Sequence, residues 1–342
     1  MKQFNLQEDV VTTEVIVTDG FGDGGVGVIN GSDLTTASLS DTQKNYYYNL
    51  QYNSKDHFSV SYGHIGGSGS ANQSTTQEGE TQAIYKQIYN ITETNRQNLK
   101  ASSTSGFIIN EATASDAYFV VAERLHMKDR LNPGTWTMTL SGSSSTGTGY
   151  SIPLTDNSKT TDASAAPFGE RYDIVSGSTG TQVGTKKFGY FYPDAGLFVL
   201  GATALSGSLP GTVGFIQSGS ATLQDNGFAP DTRVTSAADN AHKMAQALKL
   251  GTFQLRSEEN QYIYDYFCRA KVNEFNYSEN MTFWSGSQYK IRHSDMQNNP
   301  QTYITEVGLY DDNGNLMAIG RLSAAIEKNF SSEAIVKVRL TY

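Results

Sequence analysis

Apolar residues in this chain come in short runs of period two, each cut off by Gly, Ser, Thr, Asn or Pro, from one end of the sequence to the other. Successive side chains of an extended strand point to opposite faces, so such runs specify half-buried strands. Their brevity and turn-rich punctuation specify antiparallel sheets. Phe58, Val60 and Tyr62 alternate with Ser59 and Ser61. Trp136, Met138 and Leu140 alternate with Thr137 and Thr139, after a turn signal at Pro133-Gly134. Val11 to Val17 is β-branched, and Tyr118 to Ala122 is a continuous apolar run short enough to be a strand buried on both faces. Phe188 to Leu200 reads as two strands around a turn at Pro193-Asp194. The expected fold class is mainly β with a few short helices, in antiparallel, sandwich-like sheets, with the C-terminal strand closing a sheet.

Two stretches carry a helical period instead. Ser236 is a candidate N-cap with Asp239 three residues on, followed by Ala241, Met244, Ala245 and Leu248 on one face and Gly251 as the stop. Ile84, Tyr85 and Ile88 recur at helical spacing over about Thr81 to Tyr89. At the C-terminus, Tyr303 to Tyr310 and Leu316 to Leu322 flank Asp312-Asn313-Gly314-Asn315, whose Asn-Gly pair suits a type I′ hairpin. Val336, Val338, Leu340 and Tyr342 then alternate with Lys337, Arg339 and Thr341 to the last residue. The stretches 66–80 and 141–151 are rich in Gly, Ser and Thr and read as exposed loops or a linker. Three regions are expected: 1–105, β-rich; 106–230, a central β domain; and 231–342, with one helix, the terminal hairpin and the last strand.

Composition narrows the function. The 342 residues carry 25 Lys+Arg against 34 Asp+Glu, a net charge of -9, and charged residues are only 17% of the chain. Such a chain has no basic surplus with which to neutralise phosphates, which argues against nucleic acid and anionic membrane surfaces as partners. No apolar run approaches the roughly 20 residues that a membrane-spanning helix needs. The single cysteine, Cys268, excludes a disulfide framework and a multi-Cys metal site; within YDYFCRA it reads as a buried, inert thiol.

The candidate chemical motifs do not hold together. Gly20-Phe21-Gly22-Asp23-Gly24-Gly25 matches G-x-G-x-x-G, but VGVINGSDL after it has no helical period, so a glycine-rich loop explains the match. Asp311, Asn313 and Asn315 have the one-three-five spacing of a calcium loop, yet Leu316 stands where that loop needs glycine and no bidentate Glu follows. The five histidines, His57, His64, His126, His242 and His293, show no metal-ligand spacing; His57 and His64, seven apart on one expected strand, point to opposite faces. No nucleophile elbow and no phosphate-binding loop occur. Tyr46, Tyr47, Tyr48 and Tyr52, or Tyr262, Tyr264 and Tyr266, are open to reading as stacking platforms for glycan, or as ordinary sheet and interface tyrosines. No catalytic, cofactor-binding or metal-ligating residue is assigned.

Five segments carry a family resemblance: HFSVSYGHIGGSGS (57–70), RLHMKDRLNPGTWTMTLSG (124–142), FGYFYPDAGLFVL (188–200), FCRAKVNEFNYSEN (267–280) and residues 302–342. In that order they resemble a family of virion structural proteins of contractile-tailed phages, above all marine myoviruses of cyanobacteria. The resemblance implies a non-enzymatic subunit without cofactor, made in the host cytoplasm and built into the virion tail as a baseplate wedge part. Its implied partners are other tail and baseplate proteins. The alternatives are a neck or capsid-decoration protein and a glycan- or receptor-binding tail protein.

Overall fold

The structure, a computed structural model, describes residues 2–22, 25, 27–36, 47–67, 80–93, 106–143, 149–206, 237–286 and 290–342. Strands dominate, and the sheets are antiparallel, as the period-two runs require. The described residues divide into two units rather than three consecutive regions. One unit is Val17–Glu259; the other joins Met1–Ile16 to Asn260–Tyr342. Strands from all three expected regions hydrogen-bond into one sheet, and the expected boundaries near 105 and 230 lie outside the described residues.

In the larger unit the sheet runs Val28–Asn30, Thr252–Gln254, Thr137–Ser143, Gly149–Asp156, Gly169–Ser178, Thr181–Tyr192, Leu197–Gly201, Asp116–Ala122, Lys55–His64, Tyr47–Tyr52 and Thr35–Thr36. Ser164–Ala166 adds a short side pairing to Gly169–Ser178. The sheet curls around the helix Ala237–Lys249, which packs against Tyr47–Tyr52 and Lys55–His64 towards one end and Thr137–Ser143 and Thr252–Gln254 towards the other. Phe58 and Phe253, from those two ends, stack at 4.5 Å. Ala241, Met244, Ala245 and Leu248 of the helix are fully buried, on the face their spacing specifies. Ser236, the candidate cap, lies outside the described residues.

The helix Glu80–Thr92 covers the sheet's other face, with Tyr85 and Tyr89 packed on Phe107 and Phe119. Asp116–Ala122 is therefore buried on both sides, as its continuous apolar run demands. Both ends of the stretch 141–151 differ from expectation, its residues 144–148 lying outside the described ones. Thr137–Ser143 and Gly149–Asp156 pair through Ser141↔Ser151, Gly142↔Tyr150 and Ser143↔Gly149, so small polar residues form the end of a hairpin. Threonine and serine tolerate a solvated strand face as readily as a loop, which is why composition alone misleads there.

The smaller unit is built on Arg256–Ala270, whose Ile263–Ala270 part pairs with Ala334–Thr341; Val10–Gly20 flanks its other side. Tyr262 and Tyr342 exchange backbone hydrogen bonds at 3.2 and 3.0 Å, so the chain's last residue is held in the sheet. The terminal strand thus closes a sheet of its own unit, as its alternation suggests. Thr302–Tyr310 and Leu316–Lys328 form a separate two-stranded ribbon. Its turn is not type I′: Gly314 has φ +83° while Asn313 is not among the positive-φ residues. Asp311 shapes it instead, its Oδ1 accepting the N–H groups of Asn313 (3.0 Å) and Asn315 (2.7 Å).

Candidate functional site

The smaller unit concentrates exposed apolar surface. Among its described residues, the buried apolar side chains are Ala270, Leu309, Ala334 and Val336. Both apolar core clusters of the protein are built wholly from residues of the larger unit. Conversely, most of the large apolar side chains exposed on the described residues belong to this unit, which is under a third of the chain: Ile16, Tyr277, Met281, Met317, Ile319 and Tyr342 are examples. Contiguous apolar surface rimmed by polar groups is the mark of an interaction site.

Local chemistry holds these elements without a core. Asp265 accepts Arg339 Nε and Nη2 at 2.8 and 3.0 Å and pairs with Lys337 Nζ at 2.7 Å, and those cations hold its carboxyl well below the usual carboxylate range. This is one face of the terminal strand; Val336, Val338 and Leu340 are on the other, opposite Cys268, Tyr266 and Tyr264. Lys328 is buried, and its ammonium donates to Val272 O, Asn276 Oδ1 and Asn329 O at 3.1, 2.6 and 2.9 Å. Three neutral acceptors replace the water that this charge gave up.

The larger unit brings together residues that no motif links. His57, fully buried, stacks on His126 with ring centroids 3.8 Å apart, and Phe21 lies edge-on to both. His57 Nδ1 is 2.8 Å from Lys55 O, and His126 Nε2 is 3.0 Å from Asp56 O, so each ring has a backbone partner. His126 borders a cleft of about 390 Å³ lined also by Asp19, Gly20, Gly22, Gly25 and Lys128 among others. This is where the glycine motif lies. Gly22 and Gly25 take φ of +103° and +68°, and Gly25 N donates to Gly22 O. Strand Val28–Asn30 follows, with no helix N-terminus to face a pyrophosphate. His64 is elsewhere, opposite Asp116; burial lowers its pKa and raises that of Asp116. His293 is exposed, and the side chain of His242 lies outside the described residues.

Three carboxylates also meet around Arg130. Its Nε donates to Glu258 Oε1, its Nη1 is 2.8 Å from Glu170 Oε2, and Asp194 stands 3.9 Å away. Tyr172 donates to Glu170 at 3.1 Å, and its own pKa is pushed up to about 12, chiefly by burial. These residues are scattered over 130–258, and only the sheet registers unite them, so no spacing rule finds them. With a cation at the centre, the three carboxylates and Arg130 form an ion-pair clamp.

The remaining candidates separate. Cys268 is half-buried rather than buried, since its strand has no second layer of core over it, and its thiol is pushed up by burial and Asp9. Asp311 spends its carboxylate on its own turn, Asn315 Nδ2 also reaching it at 2.9 Å. Among the described residues no group of three or more His, Cys, Asp or Glu is placed to hold a metal ion, and no helix is long and apolar enough to cross a membrane. Tyr48 and Tyr52 pack against the core, Tyr47 is half-buried, and Tyr46 lies outside the described residues. Tyr264 and Tyr266 stack at 6.4 Å, Tyr342 lies edge-on to Tyr264 at 5.7 Å, and Tyr262 is exposed. No protein-family model, curated protein or solved structure matches this chain.

Proposed function

We propose that this chain is a non-enzymatic structural subunit of a contractile-tailed phage virion, seated in the tail baseplate and working through protein–protein interfaces. The observation that carries the reading is the uneven distribution of apolar surface. A well-cored curled sheet is joined to a unit that carries most of the exposed large apolar side chains on the described residues and few buried ones. Obligate assembly interfaces have that composition, resembling a core cut in half. The electrostatics agree. The buried and half-buried ions named above are matched to partners inside the chain, which suits rigid building blocks, and a low charge fraction suits broad contacts between subunits. The segments quoted from 57–70 to 302–342 supply the virion assignment.

The test is immunogold electron microscopy of intact virions with antibody to this chain. Gold at the distal end of the tail is expected. Gold at the head or neck moves the subunit to a neck or decoration role. Absence of the chain from purified virions, by both gold and mass spectrometry, overturns the reading.

A further inference from the structure

One face of the Thr302–Lys328 ribbon has a self-complementary order. Across its two strands stand Glu306 opposite Arg321, then Gly308 opposite Ile319, then Tyr310 opposite Leu316. A Cβ at Gly308 would lie 2.9 Å from the Tyr310 ring and 3.2 Å from Leu316 Cδ1, so those two side chains fold over the glycine on this face. Tyr310, Leu316 and Ile319 are 49%, 51% and 52% exposed, and Met317 beside them 68%. The opposite face is occupied: a Cβ at Gly320, the partner of Val307, would lie 3.6 Å from Val338 of the terminal strand. At the inner end of the exposed stripe the ion pair Glu306–Arg321, at 3.4 Å, is itself open to solvent.

A two-stranded ribbon is marginal in water by itself, and each ordered residue costs about 1–2 kcal/mol of backbone entropy. With four buried apolar side chains among the described residues of its unit, the ribbon gains from a cover on its exposed face. A second copy is the partner that is present wherever the chain is made, and isologous pairs are the commonest closed assemblies. We infer that this ribbon face is an interface between two copies of this chain, related by a two-fold axis running along the ribbon. That axis sets each strand over the opposite strand of the other copy. Glu306 of one then meets Arg321 of the other twice, and the Gly308–Tyr310 side meets Ile319 and Leu316. The charges fix the register while the apolar centre is desolvated. This inference stands apart from the virion reading, because the purified chain alone tests it.

Sedimentation velocity on the full chain reads the outcome. The wild type sediments as a dimer. Glu306→Arg and Arg321→Glu each place like charges across the interface and weaken it roughly 30-fold or more. An equimolar mixture of the two variants restores a dimer, since both contacts between copies then join opposite charges. A purely intrachain role for the pair gives no such rescue, because each chain keeps its own like-charge clash. Ile319→Asp gives a monomer whose near-ultraviolet circular dichroism retains the signal of the Trp136 core. A wild type that stays monomeric at tens of micromolar overturns the inference, including one that then binds a different virion protein through this face. So does a mixture that fails to reassociate. Absence of the chain from virions leaves it standing.

Discussion

Tyr62 and Tyr85 are both buried tyrosines of the larger unit, and their hydroxyls have opposite fates. Tyr85 donates to Ala114 O at 2.5 Å and accepts from Phe107 N at 3.0 Å, tying the helix Glu80–Thr92 to the pairing of Phe107–Ile109 with Ala112–Ala114. Tyr62 OH is buried without a hydrogen-bond partner. A buried unsatisfied hydroxyl carries its desolvation penalty uncompensated, whereas deleting one member of a made bond strands the other. Tyr85→Phe therefore loses about 1–3 kcal/mol, while Tyr62→Phe is neutral or gains up to about 1 kcal/mol. Urea denaturation of the two variants measures the contrast, and equal losses would contradict it. Asp265 makes a second prediction. Its folded-state pKa is depressed, so its ion pairs stabilise above the unfolded carboxylate range near 4 and that contribution is lost as pH falls through the folded value. Asp265→Asn lowers stability at pH 7, and the difference from wild type shrinks as the pH is taken from 5 towards 2. A difference that is constant over that range counts against the pairing.

At the scale of elements, the terminal strand and the central helix show what patterning reads well. The alternation of Val336, Val338 and Leu340 with Lys337 and Arg339 is realised as two distinct faces, one apolar and one bound to Asp265. Deleting 336–342 removes the partner of Ile263–Cys268 and both cations facing Asp265, leaving an unpaired strand edge. The truncated chain is expected to be insoluble; soluble truncated protein with wild-type thermal stability would refute the strand's role. The helix Ala237–Lys249 follows its 3.6-residue spacing, but the reason for Gly251 was not legible. A Cβ there would lie 1.7 Å from Thr139 O, so glycine is needed because the strand Thr137–Ser143 passes against the helix end. Gly189 has the same origin, its Cβ position being 1.8 Å from Val199 O on the neighbouring strand. Close approach between segments distant in sequence leaves no periodic trace. The Asp311–Asn315 turn was legible as a turn but not in type, because the side chain of Asp311 selects the geometry over the Asn-Gly preference.

For the whole molecule, the division of stability follows the division of core. Phe58, Val120, Phe198 and Leu200 belong to one continuous cluster of the larger unit, each fully buried, and a buried large apolar side chain contributes about 1.5–3 kcal/mol. Amides of Asp116–Ala122 and Leu197–Gly201 should be the slowest to exchange with deuterium. Those of Thr302–Tyr310 and Leu316–Lys328 should exchange faster in dilute protein, where few buried contacts back their hydrogen bonds. Uniform protection across both units would show that the smaller one is stabilised by something other than burial.

The sequence by itself determined the mainly β class, the antiparallel strand runs, both long helices and the extended C-terminus, because side-chain periodicity depends only on local backbone geometry. Tertiary structure decided the rest. It joined residues 28–30 and 252–254 into one curled sheet, set His57 on His126 and Arg130 among Glu170, Asp194 and Glu258, and left one unit cored and the other bare. Those are contacts between segments tens to hundreds of residues apart. They are fixed by which strands pair and how the sheet closes, and no single stretch of chain encodes either.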